Sequence, residues 1–190
     1  MARKNEFKPD KPYSGFWEKL LLTRLQRKVL LKWCLYALLL VALSVLQDVL
    51  LCRVRIFGAT TELVPCGIFL VCLLEWADRG CIFALVAALL YFFSGSAAGI
   101  YVILFLPAVA IGATWVRQRF FQSGFGAAFI CTAAAMVVYE LAVFVIGVFL
   151  GLTTASRVGS FLLTALLTMI PVPVIYVILR AIGGGDIWKE

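Results

Sequence analysis

A series of long apolar segments constrains this chain more than any other feature. A helix needs roughly 20 residues to cross about 30 Å of hydrocarbon, because it rises about 1.5 Å per residue and satisfies its own backbone polar groups. Six segments approach that length, at residues 33–51, 59–76, 80–93, 99–116, 124–150 and 160–182. The sequence therefore predicts an all-α fold, a polytopic membrane helix bundle of about six transmembrane helices, with the third segment short or tilted.

Composition excludes a soluble domain. The chain is 64% apolar and only 14% charged, and its mean hydropathy is +1.04, all outside the usual range of soluble proteins. We predict three parts. Residues 1–32 form a basic cytoplasmic or interfacial segment, residues 33–182 the six-helix transmembrane domain, and residues 183–190 a short cytoplasmic tail.

Basic residues are distributed unevenly between the two sides of these spans. Fourteen of the 17 lie on the side of the N-terminus, nine of them within residues 1–32, and three lie on the other side. The positive-inside rule therefore predicts a multi-pass membrane protein with both termini in the cytoplasm. Attraction to anionic lipid headgroups explains the net charge of +7 without nucleic acid. Residues 14–33 are predicted to form an interfacial amphipathic helix, either a membrane anchor or a docking surface for a cytoplasmic partner.

The sequence offers little for catalysis. It contains no histidine, the usual general base and the commonest metal ligand. Its six cysteines show no C-x-x-C spacing and lie mostly in or beside the spans, where cysteine behaves as a small apolar residue. Nucleotide-binding and nucleophile motifs are missing too. We therefore expect no enzyme, no catalytic residue, no cofactor and no metal site.

Four charged residues lie near the predicted external ends of the first two spans. Asp48 lies near the end of the first, Glu62 opens the second, and Arg53 and Arg55 lie between them. The four can form a structural clamp across the hairpin, or they can contact a partner or ligand.

Glu140 lies seventeen residues into the longest apolar segment. A carboxylate at that depth costs at least about 2.5 kcal/mol, so we expect Glu140 to be protonated or to face the protein interior. Either a structural hydrogen bond or a functional role, such as ligand binding or helix recognition, fits this position.

Small residues and turns recur between residue 46 and about residue 121. An Ile-Phe-Gly turn leads to an acidic-Leu entry into the second span, a small-x-x-x-small third span follows, and a glycine turn opens the fourth. This run resembles the MreD family of bacterial rod shape-determining proteins. The matching positions are Ile56, Phe57, Gly58, Glu62, Leu63, Ala84, Ala88, Leu89, Gly95, Gly99 and Ile100. Two positions depart from the family pattern, with Thr61 in place of proline and Phe92 in place of aspartate.

The resemblance implies a non-enzymatic component of the bacterial cytoplasmic (inner) membrane that belongs to the cell-wall elongation machinery. Such a protein is a scaffold for peptidoglycan synthesis and maintains cell shape. Its partner would be an MreC-like bitopic membrane protein, and it would act indirectly with MreB, RodA and a class B penicillin-binding protein. Small residues allow close helix approach, so Ala84, Ala88 and Gly99 are candidate contacts for the MreC helix, with Glu140 as a polar specificity point.

A second function class also fits a six-helix bundle. The substrate-binding S component of an energy-coupling-factor vitamin transporter has a similar architecture. It would need a pocket with convergent polar groups, which Asp48, Glu62, Tyr139 and Glu140 can supply in part. The first span lacks the Ala-x-x-x-Ala pair with which such components typically dock on their transport module.

Overall fold

The computed structural model describes residues 24–49, 51–53, 58–75, 77–121 and 124–183, and every regular element in these ranges is helical. The prediction of an all-α protein is therefore confirmed. Seven α-helices occur in the described ranges, and short 3₁₀ turns follow α1 and precede α6. The helices are α1 (Arg24–Val49), α2 (Leu63–Leu74), α3 (Ala77–Phe93), α4 (Val102–Phe120), α5 (Phe125–Phe149), α6 (Val158–Thr168) and α7 (Val172–Gly183).

Each of the six predicted segments overlaps one helix, except the last, which overlaps the pair α6 and α7. Within the described ranges, two helices are long and apolar enough to cross a membrane, namely Val29–Val49 of α1 and the whole of α5. The α6–α7 pair, bent by 45°, makes a third if it forms one span. The fold is thus that of a membrane protein with two or three such spans in the described ranges. By helix length and apolarity alone, the predicted number of six spans is not confirmed.

α1 begins earlier than the first predicted span. Residues 24–32, the second half of the predicted interfacial helix, belong to the same continuous helix as the span itself. Residues 14–23 lie outside the described ranges.

α2 is the central helix of the bundle. Every residue from Leu63 to Leu73 is buried, and α1, α3, α4, α5 and α7 all pack against it. A helix that is apolar on all sides belongs in the interior. Its 12 residues span only about 18 Å, so both of its ends lie where side chains from neighbouring helices can reach them.

α3 packs through its small residues. Ala84 and Ala88 have no exposed surface, and α3 contacts α2 on one side and α4 on the other. The small-x-x-x-small pair therefore serves close packing inside the bundle.

The chain reverses between α3 and α4 at two glycines. Gly95 has a φ of +79°, a conformation that side chains with a Cβ rarely adopt. At Gly99 a Cβ would lie 2.6 Å from the Tyr101 ring. The glycine spacing predicted a turn here, and at both positions a side chain with a Cβ would be sterically disfavoured.

The break between α6 and α7 has a local cause. Pro171 has no N–H to continue the helical ladder, and its carbonyl accepts the bond from Ile175 N (3.1 Å) that opens α7. The chain is helical again from Val172.

Overpacking at Ala84 should destabilise the bundle. Ala84→Leu forces a larger side chain into a filled site, and we expect a loss of about 1–3 kcal/mol of unfolding free energy. Thermal unfolding in detergent measures the change. Ala108→Leu is the matched control, because Ala108 is exposed on α4. Equal thermal midpoints for the two variants would contradict the packing assigned to Ala84.

Candidate functional site

Polar side chains from four helices and from the start of α2 meet inside the bundle. We call this group the interior polar cluster; its members are Gln47 of α1, Glu62 before α2, Tyr91 of α3, Tyr139 and Glu140 of α5, and Thr168 of α6. Five of the six are at least nine-tenths buried, and Glu62 is partly buried. Since buried polar groups are costly unless paired, their partners define what this site can do.

Other helices satisfy the first N–H groups of α2. Gln47 Oε1 accepts a hydrogen bond from Val64 N (3.0 Å), and Thr168 Oγ1 accepts one from Glu62 N (3.1 Å). The N-cap residue of α2, Glu62, makes no capping bond with its own side chain. Gln47 also donates through Nε2 to the Tyr91 hydroxyl (3.5 Å), which joins α1, α2 and α3 at this point.

Glu140 is buried in the bundle as well. It is 1% exposed, and α5 continues for nine residues beyond it, about 14 Å of helix. One carboxylate oxygen on each acid, Glu140 Oε1 and Glu62 Oε2, is buried with no hydrogen-bond partner in the described residues. The two carboxyl groups are close enough to interact electrostatically, and the Tyr91 hydroxyl also acts on Glu62.

The sequence analysis left two settings open for Glu62, a clamp with the arginines near the external ends of the spans, or convergence with Tyr139 and Glu140 in a transporter pocket. In the structure Glu62, at the N-terminus of α2, interacts electrostatically with Glu140 and with Tyr91. The cause is the position of α2, whose first residues lie beside Thr168 at the break between α6 and α7. One sequence signal for this position of α2 is that the apolar stretch after Glu62 is short and ends at Glu75.

Asp48 lies outside the interior polar cluster. Its carboxylate accepts hydrogen bonds from Ser96 (2.6 Å) and Ser44 (3.4 Å), and this fastens the turn between α3 and α4 to the end of α1. Arg53 is exposed. Arg55 lies outside the described residues, so the clamp predicted between these charges stays a prediction.

A second polar group lies at the other end of α2 and was missed from the sequence. Lys32 of α1 forms an ion pair with Glu75, and the Tyr36 hydroxyl donates to the same carboxylate at 2.8 Å. The Lys32 Nζ also lies 5.6 Å from the centre of the Tyr36 ring. Both charges are largely buried, so each depends on the other for compensation.

Two apolar grooves mark the surface of the bundle. The α1/α3 groove, about 420 Å³, is lined by residues such as Trp33, Ala37 and Phe83, with Arg79 also in its wall. The α4/α5 groove, about 370 Å³, includes Gly112 and Ala134. Exposed apolar side chains line both grooves, among them Ile82 in the first and Val138 in the second.

The predicted partner contacts lie away from these grooves. Ala84, Ala88 and Glu140 are at most 1% exposed, and the Cβ position of Gly99 is taken by the Tyr101 ring. In this conformation, the three buried residues do not reach a helix that approaches from the lipid.

No protein-family model, no curated protein and no solved structure matches this chain. The site must therefore be interpreted from its own chemistry. It contains carboxyl, hydroxyl and amide groups in an apolar setting, which suits hydrogen bonding and the binding of a cation or proton.

Removing the Gln47 amide should destabilise the start of α2. Gln47→Leu keeps a similar volume but leaves the Val64 N–H buried without an acceptor, at a cost of about 1–3 kcal/mol. Chemical or thermal unfolding in detergent measures the loss. Val45→Leu, at an exposed position on the same helix, is the control. An unchanged unfolding midpoint for Gln47→Leu would refute the capping role.

Proposed function

We propose that this chain is a non-enzymatic membrane component of the bacterial cell-wall elongation complex, similar to the MreD family, and that it binds an MreC-like bitopic protein. The observation that carries the proposal is the order of elements from residue 46 to about residue 121. Two features of the fold support it. Gly58 and Gly95 both have the positive φ that a glycine-requiring turn needs, and the alanines at the family's small positions are fully buried.

Charge supports an orientation with both termini in the cytoplasm. Lys32, at the start of α1, lies beside Glu75 at the end of α2, and the basic residues Arg117 and Arg119 end α4. Arg180 lies in the last turn of α7. These helix ends follow the positive-inside rule if they face the cytoplasm. A full set of six spans is part of this proposal, with α2 and the α6–α7 pair as short or broken spans.

We assign MreC docking to the α4/α5 groove. Helices associate in lipid mainly through close packing, because lipid is as apolar as the helices themselves. Gly112 is exposed in this groove, and nothing lies within 4 Å of its Cβ position. Ala134, across the groove on α5, is exposed too. A single transmembrane helix can therefore approach the backbone more closely here than at the α1/α3 groove, which aromatic rings line.

Gly112→Leu should weaken co-purification with the MreC-like protein at least severalfold, because the leucine fills the groove. Ala37→Leu, which fills the α1/α3 groove, is the matched control and should leave co-purification unchanged. Both proteins are tagged, co-expressed and extracted in mild detergent, and the recovered ratio is measured. Loss with Ala37→Leu alone would move the docking site to the other groove. Full binding by both variants would overturn the assignment to either groove.

A transporter S component is the second candidate, and the interior polar cluster favours it. Convergent carboxyl, amide and hydroxyl groups beside a helix start and a helix break are typical of substrate sites in membrane transporters. Here, Glu62 opens α2 next to Thr168, the last residue of α6.

Depletion of the protein in a rod-shaped host distinguishes the two functions. Loss of a cell-wall elongation component should round the cells and leave vitamin uptake normal. Cell shape is measured by microscopy and uptake with labelled vitamins. Normal rods with a specific uptake defect would reject the scaffold function and favour the transporter.

A further inference from the structure

The carboxyl group of Glu140 lacks the compensation that the other deeply buried acid has. At Glu75, a lysine and a tyrosine hydroxyl contact the carboxylate. Glu140 is only 1% exposed, and its Oε1 atom has no hydrogen-bond partner in the described residues. An uncompensated charge in such a setting is disfavoured by several kcal/mol.

The groups that act on the two acids come from every side of the site. Tyr91 on α3 and Tyr139 on α5 interact with both acids, and Tyr101 before α4 interacts with Glu62. Gln47 on α1 donates to the Tyr91 hydroxyl, and Thr168 on α6 accepts from the backbone N–H of Glu62. Asp48, further along α1, adds a negative charge that acts on Tyr91. No lysine or arginine in the described ranges is ion-paired with Glu62 or Glu140. Among the described residues, the formal charges that act on this site are therefore negative.

Two carboxylates in this surrounding cannot both ionise at little cost, since like charges repel strongly in a low dielectric. The species that offsets the repulsion between the two carboxylates must be small. No group of three or more acidic, cysteine or histidine side chains in the described ranges is arranged to hold a metal ion. A proton needs neither a cavity nor further ligands.

The local geometry distinguishes the two acids. Glu62 lies at the N-terminus of α2, where the helix dipole favours a negative charge, and Tyr91 offers it a hydroxyl. Glu140 lies in the middle of α5, far from either helix end, and its Oε1 has no donor.

We propose that Glu62 and Glu140 form a proton-binding site inside the bundle and that Glu140 carries the proton. The proposal is independent of the scaffold function. Release of the proton places two negative charges where α2, α5 and the end of α6 meet. It therefore weakens the packing of α2, which the rest of the bundle surrounds.

Infrared spectroscopy of the purified full-length protein in detergent tests the proposal directly. A protonated carboxyl group gives a C=O stretching band that carboxylates and amides lack. We expect this band at neutral pH in the wild type, its loss in Glu140→Gln, and its retention in Asp48→Asn, a matched change at an exposed acid. Wild type without the band at neutral pH would overturn the proposal, whatever the variants do.

The wild type alone gives a second test, which can be carried out even if Glu140→Gln fails to fold. The band should disappear as pH rises, falling about tenfold per pH unit once most sites have lost the proton. The folded state should lose stability as pH rises from the titration range of a solvent-exposed glutamate until the band has gone, because over that range the folded protein holds a proton that the unfolded chain has released. A band lost to sodium chloride but not to choline chloride at constant pH would show a sodium site instead. If the band is lost in Glu62→Gln and kept in Glu140→Gln, the proton is on Glu62, and the assignment to Glu140 is wrong.

Discussion

Because helix α2 is enclosed on every side by protein, neither lipid nor bulk water can satisfy the polar groups at its ends. Its neighbours have to do so. This requirement explains most of the buried polar side chains that do not simply bond to a carbonyl of their own helix. Gln47 and Thr168 accept its first N–H groups, while Lys32 and Tyr36 compensate Glu75, which follows its last turn. The positions of α1 and α6 are thus tied to the two ends of one short helix.

Apolar length was enough to predict the all-helical fold class and a segment over every helix, with one segment covering both α6 and α7, because apolar length is a local property. Local sequence also identified the turn at Gly95, where φ is +79°. The contacts of the site are different, since Tyr36 and Glu75 are 39 residues apart and Glu62 and Thr168 are 106 apart. Apolar runs on separate helices carry no information about which helix lies at the centre. The burial of Glu62 depends on that arrangement, so it could not be predicted from the sequence.

Phe92 occupies the place where the MreD pattern has an acid, and its surroundings give that departure a physical context. Its ring packs against Phe93 (5.8 Å between ring centres), and it is only partly buried. The residue of α3 that reaches the interior is its neighbour Tyr91, which is bonded to Gln47. In this chain α3 contributes a hydroxyl to the cluster, and the deep carboxyl group comes from α5 instead.

The two ends of α2 solve the same electrostatic problem in different ways. Glu75 follows the C-terminus of the helix, where the dipole disfavours a negative charge, so an ion pair with Lys32 is needed. Glu62 is at the N-terminus, where the dipole itself favours the charge. No lysine or arginine is ion-paired there within the described ranges, and the nearby Glu140 is left without compensation. An ion pair stabilises one end, whereas by our proposal the end without one depends on the protonation of a carboxyl group. Any pH response of this bundle should therefore begin at the start of α2.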